Sequence, residues 1–217
     1  MTKQIKITTA SMLFLAVVVF HLYGLVNSNE WAFFTKPFLM ITLTIVYLVS
    51  VKKPNFWYVS ALFFSFWGDV FLLFKEKFFL FGLASFLLAH VLFIKISTSF
   101  LKKVKPYKLL IVSVPFALIF ISLLSVLKDG LGNLLLPVII YGITISTFGV
   151  VALLNYLQEK STANLWLFLG AFIFVISDSV LAINKFYEAK EMYGFIIMAT
   201  YVVAQYLICK AFIVKGV

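Results

Sequence analysis

The stretch "FFSFWGDVFLLF", residues 63–74, places one carboxylate, Asp69, in a run of Phe, Leu, Val and Trp, with no cation within five positions on either side. A second such run, "IFVISDSVLAINKF", residues 173–186, holds Asp178. Runs of this kind recur along a chain of 217 residues that is 64% hydrophobic, with mean hydropathy +1.10. Soluble domains are roughly 45–50% apolar, and a soluble fold of this length cannot hide so much apolar surface. Charged residues make up 12% of the chain and fall between the runs, as in a polytopic helical membrane protein. The alternation of a membrane β-barrel is absent.

The expected fold is therefore all-α, a bundle of eight transmembrane helices forming one domain over residues 1–217. The spans are predicted at 8–27, 33–51, 55–74, 78–98, 108–127, 132–157, 163–184 and 191–213, each long enough for a hydrocarbon core of ~30 Å. The second is read as starting at Lys36-Pro37, since proline suits a first helical turn. The first follows a basic start, as a signal peptide would, but its apolar run is long enough to span and no clear cleavage site follows, so it is read as a retained helix. Short connections such as "KKPN", "KEK" and "KDGLGN" leave no room for a soluble domain.

Charge sets the orientation. All basic residues are lysines, and the net charge of +10 is spread over helix ends rather than gathered into a nucleic-acid-binding face. With eight spans, 12 of the 18 lysines fall on the side of the termini, which predicts both termini in the cytoplasm and points to the cell (inner) membrane. A weak echo between "FSFWGDVFLLFKEKF" and "FVISDSVLAINKF" suggests a four-plus-four parallel repeat, an arrangement that often sets a site at the repeat interface.

Asp69 lies six residues before Lys75 and Asp178 seven before Lys185, so both sit roughly 9–10 Å below the same boundary. A carboxylate facing lipid is costly, which directs both into the bundle. Ser65 and Gly68 on one helix, and Gly170, Ser177 and Asn184 on the other, form stripes of small and polar residues that permit close approach. His90, Tyr141, Tyr201 and Gln205 are further polar groups within spans. Lys36, Asn184 and Lys185 lie near the outer ends, and Trp67 is read as lining the cavity beside Asp69. One cysteine, Cys209, excludes an intrachain disulfide and a Cys cluster; no metal motif, P-loop or nucleophile elbow is present, and no cofactor is called for.

Two carboxyls at one depth suit acid–base hydrolysis, one protonated as general acid and the other ionised to stabilise a cation or activate water. Buried acids also carry protons in transporters. A proton-coupled transporter, or a lipid-binding membrane protein using the Asp pair, is thus the alternative reading. A GxGD-type protease fits poorly, because residue 66 is Phe.

The stretches "KPFLM", "LFFSFWGDVFLLF", "FGLASFLLAHVLFI", "PVIIYG", "GAFIFVISDSVLAINKF" and "YVVAQYLI" together resemble the YhhN-type lysoplasmalogenase family of integral membrane proteins. The "SD-x-x-L-A-x-N-K-F" segment is the most specific of them. The resemblance implies hydrolysis of the vinyl ether bond of lysoplasmalogens to a fatty aldehyde and a glycerophosphoethanolamine or glycerophosphocholine. It implies Asp69 and Asp178 as the catalytic pair, with His90, Tyr141, Asn184, Lys185, Tyr201 and Gln205 lining or supporting the pocket. Lys36 or Lys185 is expected to hold the substrate phosphate. The expected partners are a lysophospholipid and the bilayer lipids.

Overall fold

The computed structural model describes residues 2–217, the side chain of residue 29 apart. Eight α-helices are each long and apolar enough to cross a membrane, as expected of a multi-pass protein: α1 Lys3–Asn27, α2 Asn29–Ser50, α3 Phe56–Leu73, α4 Lys75–Thr98, α5 Pro106–Leu127, α6 Leu135–Gln158, α7 Thr162–Phe186 and α8 Glu191–Lys215. No strand occurs among the described residues. Two 3₁₀ turns, Lys128–Gly130 and Gly132–Leu134, join α5 to α6.

The largest boundary difference is in α2. It starts at Asn29, directly after Ser28 ends α1, so Pro37 lies inside the helix rather than at its head. A proline within a membrane helix removes one backbone donor, a defect that neighbouring helices tolerate in lipid. The consequence is positional: Lys36 moves from a helix end to roughly two turns inside the bundle. In α4, Phe78 departs from helical geometry, so the first turn is set off from the rest of the helix.

Sequential helices pair as antiparallel hairpins, with α1/α2, α3/α4 and α7/α8 the most closely joined. The α8 helix is the most buried and touches α1, α2 and α7, whereas α5 is peripheral and packs chiefly on α6. The core is aromatic: Tyr58 packs edge-on against Phe212 and Tyr47, and the Phe93 ring lies tilted against Phe148. With no water to bond, hydroxyls inside spans turn back on their own helix. Thr42, Thr44, Ser50, Ser85 and Ser179 each donate to the carbonyl four residues earlier at 2.6–2.8 Å. Longer polar chains bridge helices instead. The Asn155 amide on α6 donates to the carbonyls of Ser97 on α4, at 3.0 Å, and of Val151, at 2.9 Å.

Candidate active site at the acid pair

The α3/α4 and α7/α8 hairpins bring Asp69 and Asp178 to one cavity of about 260 Å³. Its wall also carries Lys36, Phe86, Ser177, Leu181, Asn184, Lys185 and Tyr201, together with His21 and Ala32. The cavity lies toward the end of the bundle remote from the termini.

Each acid is held by a tyrosine from a neighbouring helix. The Tyr201 hydroxyl on α8 donates to Oδ2 of Asp69 at 2.8 Å, and the Tyr141 hydroxyl on α6 donates to Oδ2 of Asp178. Asp69 is almost fully buried, whereas Asp178 is half-buried. A buried carboxyl without a donor costs several kcal/mol in an apolar medium, roughly the range for unpaired polar groups, so the two tyrosines make the acids tenable. Gln205, one turn beyond Tyr201, donates from its amide to Ser65 at 3.1 Å and ties α8 to α3 beneath the acid. Gly68 gives Asp69 its setting: a Cβ there would lie 2.6 Å from the Phe86 ring, so only glycine lets α4 close on α3. Ser177 performs the same kind of tie between α7 and α8, donating to the Ile197 carbonyl at 2.9 Å.

The residues named from sequence divide by where their helices turn them. Lys36, Asn184, Lys185 and Tyr201 line the cavity with both acids. Asn184 also accepts from the Lys190 backbone at 3.1 Å and so fixes the α7–α8 turn. Lys185 is committed to Glu76 at 3.5 Å, whereas Lys36 is in no ion pair among the described residues. Gln205 and Tyr141 stand behind the wall of the large cavity and act on it through Ser65 and Asp178.

His90 does not reach the cavity. Its Nδ1 sits 2.8 Å from the Phe86 carbonyl, which can only accept, and its ring is boxed by Phe93, Phe148, Phe174 and Tyr141. It bonds neither acid; helix face, rather than depth, decides its contacts. Trp67 is a correction of the same kind. It lies on the outward face of α3, partly exposed, against Phe63, Phe66 and Phe71. Among the described residues no group of three or more metal-ligating side chains forms.

Two smaller cavities, of about 50 and 40 Å³, also end on Asp178. Ala182, Tyr141 and Val138 line both, and the larger is further walled by α5 residues such as Phe120 and Leu123 and by Ile145 and Val175 of α6 and α7. Asp178 is therefore the residue that borders the large cavity and both small, apolar ones. His21 is the wall residue that sequence reading passed over. Its signal was available, since it lies six residues before the end of α1, close to the depth of the acids.

Comparison with known proteins covers both acids. Residues 31–212 match the model of the YhhN family. Two curated relatives, each named lysoplasmalogenase, from Mycobacterium bovis and Mycobacterium tuberculosis, are 32% identical over 167 residues. The match covers 75% of this chain and 62% of each relative, so the chain spans about three-fifths of their length. No solved structure matches the chain.

Proposed function

The chain belongs to the YhhN family, and from that membership and its acid pair we propose that it hydrolyses the vinyl ether bond of lysoplasmalogens. The products would be a fatty aldehyde and glycerophosphoethanolamine or glycerophosphocholine. The observation that carries the reading is the pair itself: Asp69 and Asp178 on one cavity, each held by a tyrosine hydroxyl at one oxygen.

The chemistry follows from what a vinyl ether needs. A protonated carboxyl gives its proton to the outer alkenyl carbon; the π bond is consumed and an oxocarbenium-like cation forms at the carbon bearing oxygen. The ionised partner stabilises that cation and takes a proton from the water that adds to it. The hemiacetal then breaks its C–O bond to the glycerol: the glycerol oxygen takes the proton that the second carboxyl gained from water and leaves as an alcohol, the hemiacetal hydroxyl gives its proton to the first carboxylate as the aldehyde C=O forms, and the acid pair is back in its starting state. Aromatic walls from Phe86 and Phe79 limit water around the reacting bond. The lysine bias places both termini in the cytoplasm in this reading, with the cavity toward the opposite leaflet.

The deciding assay is aldehyde release from lysoplasmalogen by protein purified in detergent. Release supports the hydrolase; lysolipid or proton flux in vesicles without product would replace it with a transporter. The reading also assigns the start of the alkenyl chain to the small apolar cavities beside Asp178. Ala182→Phe would fill them. At about 0.8 kcal/mol per buried methylene, losing two or three of them should lower kcat/KM for a long-chain substrate ~15- to 60-fold. A short-chain alkenyl ether should be spared, and chain-length profiles of the two proteins check this.

A further inference from the structure

The hydrolysis just proposed gives no role to two wall residues, His21 on α1 and Lys36 on α2. His21 is 1% exposed, and its ring is fixed by Thr35. The Thr35 hydroxyl has one proton, and its shortest acceptor is the Trp31 carbonyl at 2.7 Å, with the Ala32 carbonyl farther off at 3.3 Å; with the proton placed there, Thr35 accepts at its 2.9 Å contact with Nδ1. Nδ1 therefore carries the ring proton, and Nε2 keeps a lone pair. No protein group answers that lone pair, although the atom is buried. A buried acceptor left unmatched is costly. Lys36 is the complementary case, a cation on the cavity wall that faces Asp69 across the cavity without a contact ion pair among the described residues, while Lys185 is already held by Glu76.

Together they describe the missing ligand: an anion beside a hydrogen-bond donor. Counted from the helix ends at ~1.5 Å per residue, His21 lies roughly 9 Å deep and Lys36 roughly 10 Å, bracketed by Asp69 at roughly 6 Å and Asp178 at roughly 12 Å, the equal depth expected from the flanking lysines being lost because α3 ends at Leu73 and α7 runs on to Phe186. At that depth His21 meets a group close to the reacting bond rather than the far end of a headgroup. In a lysoplasmalogen the free glycerol hydroxyl sits on the carbon next to the ether carbon, and the phosphate is on the carbon after that.

Resting on the lysoplasmalogen reading above, we propose that His21 and Lys36 form the glycerophosphate subsite. His21 Nε2 accepts the hydrogen bond of the free glycerol hydroxyl, and the Lys36 ammonium holds the phosphate. The subsite makes the protein selective for lyso over 2-substituted lipids, because a blocked hydroxyl leaves Nε2 unanswered and adds bulk against the α1–α2 wall.

The test uses the full chain in detergent and probes that lack the vinyl group, so binding is read whether or not the protein is a hydrolase. The probes are 1-O-alkyl-glycerophosphoethanolamine, its 2-O-methyl ether, the corresponding choline pair, and the phosphate-free 1-O-alkylglycerol. The wild type should bind the free-hydroxyl lipids roughly tenfold or more tightly than the 2-O-methyl ethers, with either headgroup. His21→Phe should erase that ratio, His21→Gln should restore part of it, and Lys36→Met should weaken phospholipid binding roughly tenfold but leave 1-O-alkylglycerol unchanged. No hydroxyl preference in the wild type would overturn the proposal without any variant being needed. A preference that survives in His21→Phe would overturn it too. If His21→Phe changes only ethanolamine binding, the donor is the headgroup ammonium and the hydroxyl assignment falls. Selective binding without aldehyde release would leave the subsite standing and remove the hydrolase; aldehyde release without selectivity would do the reverse.

Discussion

Aldehyde release is expected to cease in Asp69→Asn and equally in Asp178→Asn, while both proteins still fold. The amide keeps the carboxyl's shape and retains a carbonyl oxygen, so Tyr201 and Tyr141 keep an acceptor. What it loses is the proton to give and the charge to oppose a cation. General acid–base catalysis contributes about 10²- to 10⁴-fold, and each variant should fall by at least that factor in kcat. Thermal melting in detergent should be unchanged or raised, because an amide costs less to bury than a carboxyl. Leucine at either position is the contrasting control: it removes the acceptor and orphans a tyrosine hydroxyl, at a cost of about 1–3 kcal/mol. An Asn variant with near-normal turnover and a normal melt would sink the paired-acid mechanism.

The architecture was legible because lipid as solvent makes apolar length a direct readout. Each span announces itself, and lysines mark the turns. What was legible of the site followed from a cost argument: a carboxylate in a span has few places to go, so Asp69, Asp178 and their depth could be matched on paper. The tyrosines that answer them were nameable as polar groups in spans, but which acid each one serves depends on helix neighbours, and no spacing within one helix encodes that. His90 and Trp67 failed for a related reason. Depth says how far along a helix a residue lies, whereas rotation about the axis decides whether it meets the cavity, an aromatic box or lipid. Pro37 misled in another way. Read as a helix start it left Lys36 at the surface; as an internal residue of α2 it puts that cation against the acids. His21 sat at the right depth in the first span, but a lone histidine there resembles a packing residue until Thr35 is seen to fix its tautomer.

Hydrolysis in heavy water should leave a single deuterium on carbon 2 of every aldehyde molecule released, read by mass spectrometry after immediate trapping to block exchange through the enol. The label follows from where the first bond forms. Protonation at the alkenyl carbon takes the hydron of a carboxyl that has equilibrated with solvent, so incorporation is all or none rather than graded. One other route to the same products puts the same label on carbon 2 and differs in where the solvent oxygen goes. Displacement at the glycerol carbon by water would release an enol, which takes up solvent hydron only as it tautomerises. It would also place solvent oxygen in the glycerol fragment, whereas addition to the oxocarbenium places it in the aldehyde. Running the reaction in doubly labelled water therefore separates them: deuterium on carbon 2 with heavy oxygen in the aldehyde and none in the glycerophospho product is the expected result. Trapping must outpace hydration, since an aldehyde exchanges its oxygen with water, so the glycerol oxygen is the decisive atom. Solvent oxygen found there would move the broken bond to the other side of the ether. It would also leave the protonated carboxyl of the Asp69–Asp178 pair without a carbon to protonate.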